Sequence, residues 1–282
     1  MKIPGKGGLT IAAEVGGDPA SPAVILLHGG GQTRHAWGKA LHQLVAAGYH
    51  VLSLDLRGHG ESDWAADGDY ALESFVADLQ AVAATLPGKP ALVGASLGGS
   101  SALLAQGLNP DLAAALVLVD VAPRLEPQGV NNIIQFMKAR PEGFASLEEV
   151  AQAIAAYNPH RPPPSDLEGL KKNLRRLPNG NWGWHWDPAF MADDRAEGKA
   201  AAMSQQMAAA ARHVRIPTLL VRGMASDVVS PEGVAEFQAL IPHLEVMEIQ
   251  KTGHMVAGDK NDAFNTAILE FLGRHHPVHK PG

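Results

Sequence analysis

Gly94-Ala95-Ser96-Leu97-Gly98 is the stretch that decides how this chain folds. It follows an apolar run, Ala91-Leu92-Val93, and opens a segment from Gly99 to Gln106 that reads as a helix. A serine at a strand-to-helix junction marks a nucleophile elbow, a tight turn that lifts the hydroxyl clear of a sheet. The turn strains the serine backbone, and the residues two places away on each side must be small, hence Gly94 and Gly98. The start of the helix then lies close to any negative charge that develops there. With 30 glycines in 282 residues, such a string arises by chance in about one chain in ten. The weight therefore falls on its surroundings.

Those surroundings alternate. Leu9 to Val15 reads as an early strand, and Val24-Ile25-Leu26-Leu27 as one buried on both faces, ending at His28-Gly29-Gly30-Gly31. A helix is expected from His35 to Ala47, closed by Gly48, then a strand from His50 to Asp55. Leu72, Phe75, Val76, Leu79 and Val82 fall at helical spacing before the elbow strand. Leu116 to Asp120, Thr218 to Gly223 and Glu245 to Ile249 complete the strands, with helices from about Pro231 to Leu240 and Asn261 to Leu272. The alternation predicts an α/β fold with a mostly parallel, doubly wound sheet. It breaks between Pro123 and about Arg215, where no strand-like run appears and helical patterns surround Pro162-Pro163-Pro164 and the cluster Trp182-Trp184-Trp186. This segment reads as an inserted helical cap, 123–215, over a core made of 1–122 and 216–282. The two termini read as disordered.

Composition narrows the class. The apolar fraction is 46% and the formal net charge −6, with no long basic run, so a nucleic-acid surface is not expected. The absence of cysteine excludes disulfides, thiolate zinc sites and a cysteine nucleophile. No 18-residue apolar run is present to span a membrane, and the first residues lack a signal-peptide core, so a cytoplasmic protein is the expectation. Nothing in the sequence forbids a homodimer.

A serine hydroxyl needs a base and an oriented partner, placed on loops at the carboxyl ends of strands. His254 follows the last strand, in Lys251-Thr252-Gly253-His254-Met255, and is the expected base. Asp227, just past the strand ending at Gly223, is the expected acid; Asp120, at the end of an earlier strand, is its rival. The order Ser96, Asp227, His254 suits this kind of sheet. An oxyanion needs two donors. The Leu97 amide supplies one, and Gly30 the other, with Gly31 as the alternative. His28 and His59 read as hydrogen bonders that order their loops. Phe136, Met137 and Trp186 are expected to shape a substrate pocket, although a tryptophan cluster is more often cap core than substrate wall.

Together, His28 to Gly31, Asp55-Leu56-Arg57-Gly58-His59-Gly60-Glu61-Ser62, Gly94 to Gly99, Ser226-Asp227 and Gly253-His254-Met255 resemble the α/β-hydrolase superfamily. The set spans nearly the whole chain outside the cap, and is similar to the serine-nucleophile, esterase-like branch. Epoxide hydrolases and haloalkane dehalogenases of this fold carry aspartate where this chain has Ser96. The resemblance therefore implies a hydrolase of small to medium carboxylic esters, lactones or thioesters. It implies no cofactor and no metal; His275-His276-Pro277-Val278-His279 reads as a polar tail. Cofactor-free haloperoxidases or perhydrolases, C–C bond hydrolases and hydrolase-fold ligand receptors are the alternatives within the fold.

Overall fold

Uninterrupted apolar runs build the centre of the molecule. The computed structural model describes residues 1–157, 166–192, 196–250 (196–200 by backbone alone) and 262–278. Strands β1 (Lys2–Pro4), β2 (Thr10–Gly16), β3 (Ala23–Leu27), β4 (His50–Leu54), β5 (Ala91–Ala95) and β6 (Ala115–Val119) lie in one sheet. Two later strands complete it, Thr218–Gly223 and Leu244–Ile249. β3 to β6 and Thr218–Gly223 are buried at every position, which is why their sequences do not alternate. Successive residues still serve opposite faces. Ile25 and Leu27 pack under α2 (Leu72–Ala83) and α3 (Leu97–Leu108), whereas Val24 and Leu26 pack against α1 (Gly38–Ala46) and the last helix. Truncating one of these fully buried side chains, such as Leu26→Ala, should cost about 2–5 kcal/mol.

The pairing order positions the site. From β3 the chain winds through α1 to β4 on one side; from β5 it winds through α3 to β6 on the other. β3 and β5 are neighbours, paired in parallel from Val24↔Ala91 to Leu27↔Gly94, so the winding reverses between them. A crevice opens beyond the carboxyl ends of strands at such a switch point. The loop after β3 and the Ser96 elbow after β5 are its two walls.

Between β6 and the next core strand come α4 (Pro127–Lys138), α5 (Leu147–Tyr157), β7 (Leu174–Arg176), β8 (Trp182–Trp184) and α6 (Ala196–Ala211). Then follow β9 (Thr218–Gly223), α7 (Pro231–Leu240), β10 (Leu244–Ile249) and α8 (Asp262–His275). Two expectations need correcting here. The inserted segment is not free of strands: β7 and β8 form an antiparallel hairpin, register Leu174↔Trp184 to Arg176↔Trp182. Three-residue strands, held partly by the Arg176 guanidinium 3.7 Å over the Trp182 ring, leave no periodic signature. Nor is the amino terminus disordered. β1 pairs with β2, Ile3 is buried, and the terminal ammonium donates to the Ala13 carbonyl at 2.7 Å.

The inserted segment has a small core of its own, including Phe144, Val150, Leu170 and Leu174. α6 belongs elsewhere. Met207, Ala210 and Ala211 join the main core, and Ala210 sits so close to Gly107 of α3 that a side chain there would collide. α6 thus covers the sheet as a crossover helix. Among the described residues, no helix is long and apolar enough to cross a membrane.

Candidate active site

Ser96 stands between β5 and α3 with φ 45° and ψ −113°, a conformation that costs a non-glycine residue about 1–3 kcal/mol. The surroundings enforce it. Its amide donates to the Val119 carbonyl at 3.2 Å, and its carbonyl accepts from the Ser100 amide at 2.8 Å. A Cβ on Gly94 would lie 2.5 Å from the Gly98 carbonyl oxygen, and one on Gly98 would strike the Leu27 carbonyl. Glycine is required at both places for lack of room.

The loop after β3 folds back towards the serine, and a Cβ on Gly29 would come within 3.4 Å of Ser96 Cβ. Most of its backbone is engaged. The Gly29 amide donates to Gln32 Oε1 at 3.0 Å, the Gln32 amide to the Gly29 carbonyl at 3.1 Å, and the Gly31 amide to His59 Nε2 at 3.1 Å. Gly31, the alternative oxyanion donor, is therefore already committed to an imidazole. The amides of Gly30 and Leu97 have no acceptor among the described residues. A cleft flanked by two open amides beside a strained hydroxyl suits a developing oxyanion.

Three buried imidazoles line the back of this loop. His28 accepts from the Leu56 amide at Nε2 (3.0 Å), leaving Nδ1 to donate to the Gly29 carbonyl (2.8 Å). His59 accepts from Gly31 at Nε2 and donates from Nδ1 to the Arg57 carbonyl at 2.9 Å. His185 accepts from the Gly60 amide at Nδ1 (2.7 Å), which leaves Nε2–H to face the Gly31 carbonyl at 3.3 Å. A backbone amide on one nitrogen fixes each tautomer as neutral. Burial agrees: it holds His28 well below the ordinary imidazole range, pushes His59 down to about 4, and pushes His185 down to about 3 with help from the neighbouring His59. None of the three acts as the base. His28 and His59 order their loops, as their sequence positions suggest.

The two aspartates differ in kind. Asp120 is fully buried at the end of β6, with φ 47°. Its carboxylate accepts the Ser226 hydroxyl at 2.6 Å and the Gly223 amide at 3.3 Å. Asp227 is exposed and faces the cap instead, where the Asn132 side chain donates to it at 3.4 Å. Burial and the Asp227 charge push the Tyr157 phenol up to about 12. The Asp227 carbonyl lies directly against Gly129 of α4, closer than any side chain at 129 would allow. His254 lies outside the described residues.

Above Ser96 a cavity of about 650 Å³ extends under the cap. Phe136, Met137 and Trp186 all line it, with Ile133, Tyr157 and Phe190. Phe136 stacks on Tyr157 (centroids 4.2 Å apart) and Trp184 on Trp186 (5.1 Å). The tryptophans divide: Trp186 lines the cavity, Trp182 packs on the cap core, and Trp184 does both. The polar residues Thr33, His35, Lys172 and Asn173 also line the cavity. A second concavity of similar size, at Arg212, Arg215 and His243, has no serine, threonine or cysteine among the described residues that line it. Sequence reasoning passed over His185, although it sits inside the tryptophan cluster; a lone histidine between two tryptophans carries no periodic signal.

Residues 22–260 match the family model for the alpha/beta hydrolase fold. Esterase Rv0045c of Mycobacterium tuberculosis is 35% identical over 252 residues, covering 86% of this chain and 79% of that protein. Its crystal structure superposes with a TM-score of 0.73, 96% of this chain on 90% of that one. A 3-hydroxybutyrate-oligomer hydrolase of Cupriavidus necator is 29% identical, covering 84% of each chain. The crystal structure of E-2-(acetamidomethylene)succinate hydrolase shares the fold at a TM-score of 0.83 and 23% identity, over 96% of this chain and 98% of that one.

Proposed function

The chain belongs to the α/β hydrolase fold family, and on that premise we propose that it is a serine esterase cleaving small to medium carboxylic esters through an acyl-enzyme on Ser96. The observation that carries the reading is Ser96, held in a strained backbone turn and lining the cavity under the cap, beside the two open amides of Gly30 and Leu97.

In this mechanism Ser96 Oγ attacks the ester carbonyl while His254 takes the hydroxyl proton. The oxyanion is held by the Gly30 and Leu97 amides, and the protonated imidazole returns its proton to the departing alcohol. Water, deprotonated by the same imidazole, then releases the acid. The carboxylate that orients His254 is better supplied by Asp120 than by Asp227. A buried carboxylate at a strand end acts through a medium of low dielectric, whereas the Asp227 charge is exposed to solvent and turned to Asn132. A cavity of about 650 Å³ bounded by Phe136, Met137 and Trp186 fits short or medium acyl groups better than long ones.

The test is labelling and turnover together. A fluorophosphonate should add to Ser96, as read by peptide mass spectrometry. Ser96→Ala should lower kcat on short p-nitrophenyl esters by roughly 10⁴–10⁶-fold. An adduct elsewhere, or a mutant that keeps its turnover, overturns the assignment. Faster cleavage of a C–C substrate than of any ester would move the reaction to another branch of the fold.

A further inference from the structure

The cap is hydrogen-bonded to the loop after β3 at two places, Asn173 to the Thr33 hydroxyl and His185 to the glycine run itself. Gly31 has φ +74°, a left-handed turn in the loop that lines the cavity beside Ser96. Three consecutive glycines have little conformational preference of their own, so contacts must define the loop. The plane carrying the Gly30 amide is held at its carbonyl by His28 and Gln32, and the next plane by His59 on the Gly31 amide. The third plane is held at the Gln32 amide by the Gly29 carbonyl and at the Gly31 carbonyl by His185, whose Nε2–H faces it.

His28 and His59 come from the core, but His185 comes from the cap. Just beyond it, the Asp187 amide donates to the Gly58 carbonyl at 2.8 Å and its carboxylate accepts the Tyr70 hydroxyl at 2.5 Å. The Trp186 ring lies over Gly31, 3.3 Å from where a Cβ would be. We propose that His185 is a positioning residue through which the seated cap fixes the oxyanion loop, so that the Gly30 donor is aligned only when the lid over the substrate is in place. Buried and neutral, the ring can make both bonds at once, one to Gly60 and one to Gly31. The proposal rests on the reading of Gly30 as an oxyanion donor for Ser96.

Two substitutions separate the two bonds. His185→Gln keeps a donor near the Nε2 position and so the Gly31 link; His185→Asn keeps only an acceptor near Nδ1 and so the Gly60 link. On a p-nitrophenyl ester, the Asn variant should lose at least about tenfold in kcat with KM within about threefold, and the Gln variant should stay within about threefold of wild type. Tyr70→Phe serves as control, because it removes a core bond of the same cap segment while leaving both His185 bonds, to Gly60 and Gly31, in place; it should lower Tm and leave kcat. Equal kcat in the Asn and Gln variants, or an equal loss in Tyr70→Phe, would overturn the proposal. If the Asn variant does not fold, imidazole ¹⁵N–¹H correlation spectra of the wild type decide: an Nδ1–H tautomer at His185 rules the Gly31 bond out, and an Nε2–H tautomer supports it. Failure of the esterase reading shows separately, as a wild type that neither turns over esters nor labels at Ser96.

Discussion

The amide of Ser96 hangs from the carbonyl of Val119 at 3.2 Å, one residue before Asp120. Nucleophile and buried carboxylate therefore sit at the ends of adjacent parallel strands, β5 and β6, in fixed relative position. The other aspartate follows β9 and turns outward.

Asp120→Asn should accordingly lower kcat on esters by about 10³–10⁴-fold, because the amide presents the wrong partner to the imidazole and leaves it in the wrong tautomer. Asp227→Asn should stay within about threefold of wild type. Steady-state kinetics on the two purified variants, with Tm as a check on folding, settle it. A larger loss in Asp227→Asn would return the acid to the loop after β9.

Cap substitutions should change selectivity and leave Ser96 intact. Phe136→Ala and Trp186→Ala enlarge a cavity bounded by rings, so relative kcat/KM should shift towards longer acyl chains. Reaction with a small organophosphate should proceed as in wild type. Unchanged chain-length profiles in both stable variants would place selectivity in the core loops.

Stability should fall with acidity, and the sign follows from the histidines. His59 and His185 titrate at about 4 and about 3 when folded, against 6.5 when unfolded. Below 6.5 the unfolded chain binds protons that the folded chain refuses. Stability from these rings is complete above that pH and drains away as pH falls towards 4 and then 3, by about 1.4 kcal/mol per pH unit for each ring. Urea midpoints at neutral and mildly acidic pH should show the slope, and His185→Gln should flatten it. A midpoint constant across that interval would mean the rings protonate without cost.

The buried pair beneath the His59 loop gives a stability prediction. Arg57 reaches Asp78 with two nitrogens, Nε at 2.6 Å and a terminal nitrogen at 2.8 Å, both side chains buried. Arg57→Met leaves the Asp78 carboxylate buried without its guanidinium and should cost about 3–5 kcal/mol. Adding Asp78→Leu should recover part of that loss, measured by denaturant unfolding. A double variant less stable than Arg57→Met would count against the pair being held together by its own charges.

The sheet was legible because strands buried on both faces cannot be anything but apolar: β3, β5, β6 and β9 announce themselves as runs. Ser96 was legible because its neighbours must be glycine. Other features depend on partners distant in sequence. β1 is three residues long and exists by pairing with β2. α6, rich in alanine, shows no strongly apolar face, so its sequence does not say whether it roofs the site or covers the sheet. Asp120 and Asp227 both follow strands, and only the packing around β6 and β9 shows which is enclosed. His185 gains meaning from Gly31 and Gly60, each more than a hundred residues away.

The contact between Gly129 and the Asp227 carbonyl sets a rule for exchanging caps between relatives. α4 rests its backbone directly on the loop after β9, with no space for even a methyl group at 129. A foreign cap grafted at this joint must carry glycine at the equivalent place, or its first helix will stand off the core and take the ceiling of the cavity with it. The second joint belongs before α6, whose side chains are part of the foundation. Cut there, the transplanted module would comprise roof alone, and chimaeras built on that plan should keep the native sheet.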